Sequence, residues 1–170
     1  MKPVELVERA LINSSRPGSI VLDPFWFTTE KMRGPGGRGA QPADDADTTL
    51  SDQGWNMTLG KAQYDWLAST LEASHSRYEF VFVHHLVGGL GRPSRGGIAA
   101  AKYFEWGGSN ADGTDGFATH RPGWSMPIHA LLVKHHVSAV FHGHDHLYAH
   151  EELDGVHYQC VPQPGNVNAG

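Results

Sequence analysis

The ten residues VSAVFHGHDH, 137–146, decide the architecture, and EFVFVHH, 79–85, repeats their logic. Each opens with a β-branched and aromatic run of strand length and ends in histidines. Residues 60–74 precede the earlier strand with Tyr64, Leu67 and Leu71 at helical spacing. Residues 127–136 precede the later one with Ile128, Leu131 and Leu132 on one side and Pro127 near the start. Ser19–Leu22 predicts another short buried strand, ending at Asp23-Pro24. Two further strands are expected around 147–150 and 156–161, joined by the hairpin signal Asp154-Gly155. Strands alternating with helices predict an α/β sheet. In such sheets ligands sit outside the carboxyl ends of the strands, where both histidine clusters fall.

The composition frames that sheet. The chain has 170 residues, which fits one domain. Hydrophobic residues make up 39% and charged residues 18%, a globular balance. Its 21 glycines and 10 prolines predict many loops, notably 33–54 and the long connection 86–125. Residues 3–12 carry a weak helical pattern, with Val4, Val7 and Leu11 near one face. A net charge of −5 argues against a protein that coats nucleic acid. No run approaches the ~20 apolar residues of a membrane span, so no membrane segment is expected. The single cysteine, Cys160, excludes an intrachain disulfide framework. Twelve histidines are the compositional anomaly.

His144 and His146 stand two apart after a strand, so on extended backbone both imidazoles point to one side. Gly143 is expected to supply the bend that brings them together above the sheet. Such a pair suits zinc, manganese or iron. Asp145 and His142 are expected to orient those ligands from behind. His84 and His85 end a separate strand at the same edge, and adjacent strand residues face opposite sides, so at most one is a direct ligand.

The segments VFVHH and VFHGHDH resemble the last two motifs of the calcineurin-like metallophosphoesterases, which include the purple acid phosphatases. The surrounding VLDPFWFT, LGKAQYDWLASTLEAS, KYFEWGGSNADG, FATHRPGW and ELDGVHYQ extend the resemblance over residues 19–165. The resemblance implies a layered α/β/β/α sandwich with only its carboxyl-terminal half present. Residues 1–18 are then an atypical start and 166–170 a tail. It also implies hydrolysis of phosphate esters by a hydroxide bridging two divalent or trivalent ions of zinc, manganese or iron. His85 and His144 would share one metal and His146 would bind the other. His84 is the second choice for the ligand position and otherwise a catalytic group.

The family's earlier motifs, DxH, GDxxD and GNH, are absent. No aspartate is followed two positions later by histidine, no Gly-Asp dipeptide occurs, and the only Gly-Asn is Gly165-Asn166. Those ligands are expected from an upstream segment or a partner, and this chain alone is expected to be weakly active or inactive. The alternative is a non-catalytic half-domain that holds at most one metal. A metallo-β-lactamase HxHxDH motif is one residue too long for His142–His146.

Two other regions are candidates for the phosphate-ester substrate. The glycine-rich loop 88–97 offers Arg92 as a catalytic group and Arg95 as a substrate contact. His120 and Arg121, with Trp124 nearby, are expected to line a substrate pocket.

Overall fold

The computed structural model describes residues 18–24, 52–86, 98–144 and 148–162. Five strands form one sheet: β1 (Gly18–Leu22), β2 (Glu79–Val83), β3 (Ala139–His142), β4 (Ala149–Leu153) and β5 (Val156–Cys160). Their spatial order is β1-β2-β3-β5-β4. The first four in that order run parallel, and β4 pairs antiparallel with β5 at the edge. The helices are α1 (Gly60–Ala73), α2 (Phe104–Gly107), α3 (Phe117–His120) and α4 (Ile128–Lys134). This is a mixed α/β fold with a mostly parallel sheet.

Strand parity explains the core. Ile20, Leu22, Val81, Val83, Val140, Val156 and Tyr158 point to one face and are buried against Tyr64, Leu67 and Leu71 of α1 and Ile128, Leu131 and Leu132 of α4. A buried leucine of this kind contributes roughly 1.5–3 kcal/mol. The amide of Gln63 clasps the end of β1, accepting from the Asp23 N–H and donating to the Asp23 carbonyl. Helix α1 is thereby tied to the carboxyl edge of the sheet.

The opposite face is different. Val21 is 61% exposed and Phe82 38%, and Phe82 stacks on Phe141 with ring centroids 5.1 Å apart. Parallel strands with continuous apolar runs are ordinarily covered on both faces. Among the described residues only one face is covered.

The hairpin forms as its turn signal predicts, with Asp154 at φ 51° and Gly155 at φ 82°. That pair of positive φ values is what a two-residue turn matching the strand twist requires. The expected loop 86–125 departs from expectation in its second half, which is built into short helices by a buried ion pair. Glu105 is fully buried and accepts from the Thr58 hydroxyl, the Leu59 N–H and the Arg121 Nε. Arg121 also donates to the carbonyls of His120, Trp55 and Met57 and lies over the rings of Trp55 and Trp124. Burial pushes the Glu105 carboxyl above its ordinary value, and the Arg121 charge pulls it partly back. The helix expected at 3–12 and most of the loop expected at 33–54 lie outside the described residues.

Candidate metal centre

The register between β2 and β3 builds the site. Val83 stands opposite His142, so the residues that follow emerge side by side. The Gly143 N–H donates to the His84 carbonyl at 3.0 Å and carries the pairing one step past the strands. The Val161 N–H donates to the His142 carbonyl at 2.7 Å on the other side. Three parallel strands therefore deliver their ends to one place.

Three imidazoles meet there. His84 Nε2 lies 3.3 Å from His144 Nδ1, with ring centroids 5.3 Å apart. The His85 ring is 5.6 Å from that of His144 and 5.9 Å from that of His84. Parity sorts the two neighbours. His84 continues the Phe80–Phe82 face and is exposed, whereas His85 continues the Val81–Val83 face and is buried. His142, next to Gly143, is buried as well. The resemblance assigns the ligand to His85, and the geometry gives the nitrogen–nitrogen contact with His144 to His84.

The bend after β3 is made by a different residue from the one expected. Gly143 does not hold a positive φ; His144 does, at 74°. A Cβ at Gly143 would meet the His84 and Val161 carbonyl oxygens at 3.8 and 3.9 Å, ordinary contact. His144 is thus held in the left-handed region, which costs a non-glycine residue roughly 1–2 kcal/mol. Strained residues of this kind concentrate at functional sites.

Two nitrogens bound to one tetrahedral ion at about 2.0–2.1 Å each stand roughly 3.3 Å apart. The His84–His144 separation therefore fits a shared ion. Imidazole is a ligand for zinc, iron and other borderline ions. Among the described residues, no group of three or more histidine, cysteine, aspartate or glutamate side chains converges as a complete metal site. His146 and Asp145 lie outside the described residues, as do Arg92 and Arg95.

A cleft of about 450 Å³ opens at this edge, lined by Val21, Asp23, Phe82, His84, Phe141 and Val161 among others. Asp23 is the one carboxylate among the lining residues. In the sequence Asp23 only ends a predicted strand, with Phe25 where a DxH motif needs histidine. The signal that points to it is its place just beyond the carboxyl end of β1, parallel to the two histidine-bearing strands.

His120 and Arg121 sit elsewhere, in a cluster of their own. His120 stacks flat on Trp55 at 4.4 Å, and Arg121 is engaged with Glu105, three carbonyls and two indoles. A second polar cluster bolts α4 to the hairpin. The Trp106 indole donates to Tyr158 Oη at 3.0 Å, Tyr158 Oη meets His129 Nδ1 at 2.7 Å, and His129 Nε2 meets Asp154 at 3.0 Å. Since Tyr158 accepts from Trp106, its own proton serves His129, and burial raises its pKa. No family model matches the chain, and no curated protein matches it.

Proposed function

We propose that the chain is the carboxyl-terminal part of a metal-dependent phosphoesterase, with His84 and His144 holding one ion and His85 packed behind them. The observation that carries this reading is the 3.3 Å approach of His84 to His144 beyond the ends of two parallel strands. The motifs VFVHH and GHDH supply the chemistry, and His146 is the ligand proposed for a second ion. When bound, such ions supply charge to polarise a phosphoryl oxygen and to lower the pKa of water. The chain's own part is to fix the two imidazoles through the β2–β3 register and the left-handed backbone of His144. Asp23 sets a carboxylate in the same cleft.

The open sheet face supports the finer architecture, the two-sheet sandwich. Val21, Phe82 and Phe141 form the kind of apolar surface that a second sheet covers. The missing DxH, GDxxD and GNH ligands belong in this reading to that second layer.

The reading is tested by hydrolysis of an aryl phosphate with added manganese or zinc, alone and with a polypeptide carrying the missing motifs. The chain alone is expected to turn over weakly or not at all, and the mixture to gain activity that His144→Ala removes. Robust turnover by the chain alone, lost on His144→Ala, would sink the incomplete-domain reading. Zinc binding that ignores both His84→Ala and His144→Ala would sink the phosphoesterase reading. The second reading, a non-catalytic half-domain, is favoured by the lack of a converged group of three ligands among the described residues. It predicts metal binding with no gain of activity from any added segment.

A further inference from the structure

Five large hydrophobic side chains are exposed among the described residues: Val21, Tyr78, Phe82, Tyr148 and Val161. Strand parity puts all five on one face of the sheet. Val21 stands opposite Phe82, and Phe82 opposite Phe141. Tyr78 lies two residues before Phe80, and its carbonyl accepts from the Gly18 N–H, which carries the β1–β2 pairing back to it. Val161 lies two residues after Gln159, the partner of Phe141. Tyr148 lies two residues before His150, the partner of Gln159. The other face of the sheet is the one packed on α1 and α4. Single exposed apolar groups need no explanation, whereas a gathered patch marks an interaction surface.

The size and the charges of the patch point to its occupant. Five strands at about 4.8 Å spacing, and six steps of about 3.3 Å from Tyr78 to His84, give a face of roughly 400–500 Å². A single helix, about 10–12 Å wide, covers about half of that width. A second copy of the sheet covers all of it. Counting both partners, that removes roughly 800–1,000 Å² from water, the range of weak and transient interfaces. The charges suit a two-fold arrangement. Arg77 lies 5.2 Å over the Tyr78 ring, at the amino edge of the face. Asp23 continues the Ser19–Val21 parity and is exposed at the carboxyl edge. The β1–β2 register sets Asp23 level with His84, so within one chain Asp23 and Arg77 are roughly 23 Å apart. A two-fold axis across the strands lays each amino edge over the partner's carboxyl edge and brings Arg77 of each copy to Asp23 of the other. The remaining charged and titratable groups, His150, Glu152 and His157, fall on the outer flank formed by β4 and β5.

We propose that this face docks on the same face of a second copy of this chain, stacking two sheets with their strands antiparallel. Sheets packed face to face lie about 10 Å apart and keep their strand directions within about 30° of each other. Interfaces of this size are weak, so dissociation is expected at roughly 10–100 µM, and the dilute chain is a monomer with its face open. The proposal does not depend on phosphoesterase activity; a polypeptide that completes the domain competes for the same face.

The test is sedimentation of the full chain from about 5 to about 500 µM, a range that brackets the expected constant. EDTA is present, so that no metal ion bridges two chains. A reversible monomer–dimer equilibrium is expected. Phe82→Ser is expected to weaken it at least about 10-fold, as truncation at the centre of an interface does. Arg77→Glu and Asp23→Arg are each expected to weaken it roughly 5-fold, and the double variant to recover most of that loss. A chain that stays monomeric throughout, leaving the face to a different partner, overturns the proposal. So does association indifferent to Phe82→Ser, or a double variant that recovers nothing. Should the variants not fold, the wild-type chain is diluted through the same range and followed by NMR. Shifts at Val21, Phe82 and Val161, with none at Leu67 and Leu131 on the covered face, are expected. Shifts centred on α1 and α4, or none at all, also overturn it.

Discussion

Replacing Arg121 by alanine separates two roles for that residue. The guanidinium neutralises a fully buried carboxylate at Glu105 and ties down the carbonyls of Trp55, Met57 and His120. Removing one member of a buried ion pair costs about 3–5 kcal/mol, because the other charge stays behind without compensation. With Arg121 only 11% exposed at its side chain, solvent screening gives little relief. A loss of about 4 kcal/mol at neutral pH corresponds to about 12 °C in Tm for a domain of this size. The pH dependence has a definite sign. Burial raises the Glu105 carboxyl above 4.5, so the native state favours its protonated form. Stability from this group is therefore fullest below pH 4.5 and declines as pH rises through the folded value. Without Arg121 the folded value climbs further, so the gap between variant and wild type narrows in acid and widens toward neutral pH. Thermal unfolding by circular dichroism between pH 4 and 8 reads this directly. The double variant Arg121→Met/Glu105→Gln is expected to recover a large part of the loss. A cost below about 1 kcal/mol, or a gap that does not change with pH, refutes the clamp and returns Arg121 to the list of substrate contacts.

His144→Gly relieves the φ of 74° and is expected to raise stability by about 1 kcal/mol while zinc binding at this site is lost. His144→Ala, which keeps the strain, is expected to lose binding without that gain, as denaturant unfolding with zinc titration will show. Phe82→Ser on the open face is expected to cost only about 1 kcal/mol, chiefly the stacked pair with Phe141, and to lower binding of a hydrophobic dye. A loss of about 3 kcal/mol or more in urea unfolding would mean the face is covered in solution. Gly155→Ala is expected to cost about 1 kcal/mol from backbone conformation alone, since a Cβ there meets nothing within 4 Å. No loss in Tm would contradict the turn geometry.

Much of the sheet was legible because local chemistry and tertiary need coincide. The runs SIVL, EFVFV and AVFH are rich in the β-branched and aromatic residues that favour strands, and Asp154-Gly155 favours a tight hairpin turn. The 100–124 region was not legible, because it is organised by Glu105 and Arg121, sixteen residues apart, meeting residues 55–59. No periodicity announces such a cross-chain ion pair.

For the histidines the division is sharper. The sequence by itself placed both clusters at strand ends and required His84 and His85 to face opposite ways, since the side-chain period of a strand is two. Only the tertiary structure decided which of them is buried. The helices cover the Val81–Val83 face, so His85 goes inward and His84 is left beside His144. Likewise a glycine before a histidine suggested where the chain bends, but the sheet register pinned Gly143 in an ordinary conformation and moved the turn to His144. Local residue types set what each position can do, and packing of distant elements set which of those options is realised.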